Sequence, residues 1–70
     1  MSQRRTHPLV RALSQPIRAT VHKQITLAET PISVEALAAA VGVDSGLVRY
    51  HVGVLVRCGL AEVATDGSVS

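Results

Sequence analysis

Residues 33–58, Ser33-Val34-Glu35-Ala36-Leu37-Ala38-Ala39-Ala40-Val41-Gly42-Val43-Asp44-Ser45-Gly46-Leu47-Val48-Arg49-Tyr50-His51-Val52-Gly53-Val54-Leu55-Val56-Arg57-Cys58, decide how this chain folds. Val34, Leu37, Ala38 and Val41 recur at the spacing of one helix face. Ser33 suits the N-cap of that helix, and Glu35 places a negative charge in its first turn. Gly42 fits the left-handed position just past a helix end, and Val43 follows as a buried turn residue. Asp44 or Ser45 can cap a second helix, which runs from about Gly46 to Arg57 or Cys58 and stops at Gly59. Two helices joined by so short a turn must cross steeply, and Ala38 supplies the small residue that a close crossing needs. Val48, Val52 and Leu55 share one face and pin the second helix to the first. These residue types at this spacing match a helix-turn-helix.

Upstream, Leu9, Val10 and Leu13 suggest one or two helical turns. Ser14-Gln15-Pro16 restarts the helix, with Ser14 as the capping residue and Pro16 in the first turn. Ile17, Val21, Ile25 and Ala28 follow at helical spacing. This helix should end near Glu29, because Pro31 pushes its predecessor out of helical geometry. Residues 1–8 read as a flexible basic arm, with Arg4 and Arg5 either reaching a minor groove or touching nothing. Downstream of Gly59 the period changes. Leu60-Ala61-Glu62-Val63-Ala64 is β-compatible, Thr65-Asp66-Gly67 carries a hairpin-turn signal, and Ser68-Val69-Ser70 could begin a return strand.

The composition narrows the function. Seventy residues make at most one small domain, which buries only about 60% of its unfolded surface. A hydrophobic content of 47% argues against wholesale disorder. With one cysteine, Cys58, no internal disulfide can form, and no Cys/His cluster has zinc-finger spacing. The core must be aliphatic, helped by a partner subunit. A substrate cavity of roughly 300 Å³ or more would consume that core. No nucleophile–base pair, paired carboxylates or phosphate-cradling glycine loop is visible, so we expect no enzyme, cofactor or metal. The apolar stretches are too short to span a membrane, and no signal peptide is apparent; the expected location is cytoplasmic. A formal net charge of +2 permits nucleic-acid binding without requiring it.

The face opposite Val48, Val52 and Leu55 carries Gly46, Arg49, Tyr50, Gly53 and Arg57. An arginine there can donate two hydrogen bonds to a guanine edge. Tyr50 can reach a phosphate or a thymine methyl, or else pack partly into the core. The glycines allow a phosphate backbone to come close, at roughly 1 kcal/mol each in helix stability. Arg57 can contact DNA or simply complement the helix dipole.

Ala12-Leu13-Ser14-Gln15-Pro16-Ile17-Arg18 resembles the opening of the ArsR-type winged-helix regulators. The resemblance continues through Ser33-Val34-Glu35-Ala36-Leu37-Ala38, Val41-Gly42-Val43, Val48-Arg49-Tyr50-His51-Val52, Leu55 and Cys58-Gly59-Leu60, and covers roughly residues 9–67. It implies a mainly α, winged helix-turn-helix fold of three to four helices plus a short or incomplete β-hairpin. It also implies a dimeric regulator whose recognition helix, about 45–58, enters the major groove of double-stranded DNA. On that pattern Ser45, Gly46, Leu47, Arg49 and Tyr50 face DNA. We expect phosphate contacts from Arg18, Lys23 and the arm, with Arg57 as a further candidate. The chain departs from the family in two places. Ser33-Val34-Glu35 stands where metal-sensing members have cysteines, and no C-terminal dimerisation helix follows within residues 9–70. The chain is then a fragment, or a regulator whose dimer is built differently.

His51 reads as a satisfied, partly buried imidazole hydrogen-bonded to backbone rather than a pH switch or ligand. Cys58 reads as a small buried hydrophobe rather than a redox sensor. The competing function is a protein-interaction module that shares the fold, supported by the low net charge, the uncharged turn at residues 65–67, and Val54 and Val56 on the surface. A DNA binder should show a continuous positive face across Arg18, Lys23, Arg49 and Arg57; an interaction module should show an apolar patch there. Nothing in the sequence identifies a small-molecule effector.

Overall fold

Prolines and short polar side chains punctuate the chain, and the helices begin where they stand. The computed structural model describes residues 8–70. Four helices follow in order: α1 (Pro8–Leu13), α2 (Pro16–Leu27), α3 (Val34–Val41) and α4 (Ser45–Arg57). Arg4, Arg5 and most of the expected basic arm lie outside the described residues; its last residue, Pro8, already belongs to α1.

Each boundary has a local cause. Gln15, not Ser14, caps α2: its side-chain oxygen accepts from the Arg18 amide at 2.7 Å. With Pro16 as the first helical residue, the capping position falls on Gln15. Ser14 instead turns back and donates its hydroxyl to the Arg11 carbonyl at 2.9 Å, closing α1. The helix α2 stops two residues earlier than Glu29, with Ala28 already extended. Ser33 caps α3 by accepting from the Ala36 amide at 3.0 Å. Gly42 ends α3 at φ +83°, in the left-handed region that a Cβ would disfavour. Its amide and that of Val43 both return to the Ala38 carbonyl, at 2.8 and 3.2 Å. Asp44 opens α4 by accepting from the Gly46 amide at 2.8 Å.

Between α3 and α4 the chain bends by 108° within Gly42-Val43-Asp44. That angle buries a shared face. Val34, Leu37 and Ala38 of α3 meet Val48, Val52 and Leu55 of α4, with Val21 and Ile25 of α2 closing the third side. Leu37, Leu55, Val21 and Val48 are fully buried. Removing one such side chain from water contributes about 1.5–3 kcal/mol, a large share of what a domain this small can hold in reserve. Val43 is half-buried against this core rather than within it.

The segment after α4 holds isolated antiparallel bridges, not strands. Glu62 and Ser70 exchange both backbone hydrogen bonds at 2.9 Å, and the Ala64 amide donates to the Ser68 carbonyl at 2.8 Å. The reversal between them uses Gly67 at φ +89° and the Asp66 carboxylate, which accepts from the Ser68 amide and hydroxyl. Val69 bridges both Val63 and Ile32 and is fully buried. The pairing of Ile32 with Val69, through bonds of 2.8 and 2.7 Å, ties the α2–α3 connection to this segment. The architecture is mainly helical, and no described helix is long and apolar enough by itself to cross a membrane.

Candidate functional site

The helix α4 divides sharply. Val48, His51, Val52 and Leu55 point into the core. Gly46, Leu47, Arg49 and Tyr50 are exposed in its first half, and Arg57 is exposed in its last turn. Ser45 and Gly53 are half-buried. Of the residues expected from sequence to meet DNA on α4, all but Ser45 are thus exposed on one outward side, with Arg57 about 12 Å along the axis from Arg49 at 1.5 Å per residue.

Tyr50 is 58% exposed, so it is not the core ring that its neighbours also permitted. Its ring meets the His51 ring edge-on, with centroids 5.0 Å apart and planes at 65°. The Arg49 guanidinium lies 3.7 Å from the Glu35 carboxylate across the α3–α4 turn, with both side chains largely in solvent. An exposed pair of this kind contributes between about 0 and 1 kcal/mol, so an incoming anion can displace Glu35 at little cost.

The two glycines of α4 differ in kind. A Cβ at residue 46 would stand 2.8 Å from the Asp44 carboxylate oxygen, so Gly46 leaves room for the cap that starts its own helix. At Gly53 a Cβ would meet only the Arg57 guanidinium, at an ordinary 3.7 Å. Internal packing gives no reason for glycine at residue 53. Gly53 and Arg49 line a cleft of about 600 Å³ bounded by Ser33 and Glu35 of the α3 start and by Val63, Asp66 and Ser68.

Arg18, expected to contact phosphate, is engaged within the fold. Its Nε donates to His51 Nδ1 at 3.3 Å, and a terminal nitrogen donates to the Ala12 carbonyl at 3.2 Å. The side chain is half-buried and engaged between helices. Lys23 is exposed on α2. Of the four cations expected on one positive face, Arg18 is engaged between helices and Arg49 faces a carboxylate, while Lys23 and Arg57 are exposed.

His51 is buried, as its place on the core face requires, but its partner is the Arg18 side chain rather than backbone. Burial, and then the adjacent Arg18 charge, hold its pKa below the ordinary 6.5. Cys58 is half-buried and unpaired at the end of α4. Val54 is half-buried and Val56 is 38% exposed, so the surface valine pair reduces to one residue. Among the described residues no group of His, Cys, Asp and Glu side chains could hold a metal ion. No family model, curated protein or solved structure matches the chain.

Proposed function

We propose that this protein is a winged helix-turn-helix module that binds duplex DNA with sequence preference and regulates transcription, with α4 as its recognition helix. The observation that carries the reading is the 108° bend between α3 and α4, which leaves Gly46, Leu47, Arg49 and Tyr50 outward on a helix whose other face is fixed in the core. A helix held this way can enter a major groove end-first. Arg49, once free of Glu35, reads a guanine edge; Leu47 packs on a thymine methyl; Tyr50 reaches a phosphate. Lys23 and Arg57 supply phosphate contacts. In this reading the bridges among Ile32, Val63 and Val69 are a rudimentary wing. Two copies on adjacent half-sites would extend the sequence read by each.

The second reading, a protein-docking module, draws on Arg18 being engaged within the fold and on Leu47 and Tyr50 standing exposed beside an arginine already paired with Glu35. Fluorescence anisotropy with random duplexes and with DNA upstream of the protein's own gene, at two salt concentrations, separates the two. The DNA reading expects affinity to fall with a logarithmic slope of about −0.9 per phosphate neutralised, and the upstream fragment to be preferred. Folded protein that binds neither DNA at low salt overturns it in favour of docking.

A further inference from the structure

We infer that Arg18 and His51 form a clamp that positions α4, and that the clamp holds only while the imidazole is neutral. The two residues are 33 positions apart in sequence and join α2 to the buried side of α4. The same guanidinium also binds the Ala12 carbonyl in α1, so one side chain ties three helices together.

The geometry assigns the proton. A histidine that accepts through Nδ1 carries its hydrogen on Nε2. Adding a proton at Nδ1 removes the acceptor that Arg18 uses and sets an N–H donor against an N–H donor, with like charges facing each other. Among the described residues no negative charge is placed to offset this. Arg18 is the charged group against His51 from α2, where Lys23 is exposed and His22 is half-buried, and neither is hydrogen-bonded to it. From α1, Arg11 is exposed and lines a cleft with Arg18 and Cys58 that His51 does not enter. The charged residue of α3, Glu35, is exposed and pairs with Arg49. On α4 itself the neighbour is the Tyr50 ring. Among the described residues no carboxylate is hydrogen-bonded to either member of the clamp.

The direction of the linkage follows. The folded state holds His51 below its ordinary pKa, while the unfolded chain takes up the proton at the ordinary value of 6.5. The clamp's stability is therefore fully present above pH 6.5 and is lost as the pH falls from there through the folded-state value. The protonated imidazole must either leave the core face, carrying with it the ring that Tyr50 meets edge-on, or push Arg18 away and release the tie between α2 and α4. The core event thereby reaches the outward face of α4. Its effect on DNA affinity rests on the proposed nucleic-acid reading; the clamp itself does not.

His51→Gln supplies a test, because a glutamine oxygen can accept from Arg18 and does not titrate. Thermal unfolding of the free protein is followed from about pH 7.5 to pH 5.5, across the range in which histidine charges. The wild type should lose more of its Tm than His51→Gln does, with His7 and His22 common to both. Parallel curves overturn the clamp. Duplex affinity over the same range should fall in the wild type relative to the variant. A relative rise overturns the positioning role, since it would mean that the added charge only attracts phosphate. If neither protein binds DNA at any pH while the Tm curves diverge, the nucleic-acid reading fails and the clamp stands. Should His51→Gln not fold, NMR titration of the wild-type imidazole decides: a proton on Nε2 and a midpoint below 6.5 support the clamp, and a midpoint at or above 6.5 overturns it.

Discussion

The inward and outward sides of α4 share thirteen residues and obey different constraints. Inward, every position has a partner: Val48 and Leu55 are fully buried, Val52 nearly so, and His51 is held by Arg18. Outward, among the described residues, the single interaction between side chains of different helices is the 3.7 Å pair of Arg49 with Glu35, and Gly53 has no internal contact to explain it. The contrast teaches how to separate folding from recognition in so small a chain. Residues that stability requires are on one side, and residues whose presence stability does not explain are on the other.

The contrast is most easily tested from the inside. Leu55→Ala removes a side chain with no exposure and should cost about 2–5 kcal/mol, enough to unfold much of the protein; thermal denaturation by circular dichroism reads this. Arg49→Ala, on the opposite side, should weaken duplex binding by about 1–3 kcal/mol and relax one base position. Its Tm should move little, because an exposed pair contributes so little. A Tm loss comparable to that of Leu55→Ala would abolish the distinction between the two sides. Asp44→Ala removes the α4 cap and should cost about 1 kcal/mol of stability, read as a lower urea midpoint. Gly53→Ala should raise stability by about 0.5–1 kcal/mol, since its Cβ finds ordinary space. Weaker DNA binding by that stabler variant would assign the glycine to close approach of the phosphate backbone.

How far the sequence could be read depended on whether an interaction was local. Gly42 and Ser33 announced themselves because a left-handed residue and a capping oxygen act on their own neighbours. Gln15 was harder, since Ser14 is the better capping residue by type and only the placement of Pro16 shifts the role along. The Ile32–Val69 pairing was not legible, because a single bridge between distant segments leaves no periodic pattern. The site divides in the same way. That Arg49 stands outward follows from helical period alone, whereas Tyr50 could equally have packed partly into the core and only the fold leaves it exposed. That Arg18 turns inward does not, for a long side chain at a helix surface can reach water or a neighbouring helix, and the His51 ring that receives it is remote in sequence. Glu35 is legible in sequence as a charge near the helix dipole, whereas its pairing with Arg49 depends on the 108° bend.

Tyr50 is the only aromatic residue of the phenylalanine, tyrosine and tryptophan set in the chain, and it sits on the outward side of α4. The near-ultraviolet absorbance and intrinsic fluorescence of the whole protein therefore originate at one ring on the surface proposed for contact. Any molecule that covers that surface changes an optical signal with no background from elsewhere in the fold, so the unlabelled protein is its own reporter of occupancy.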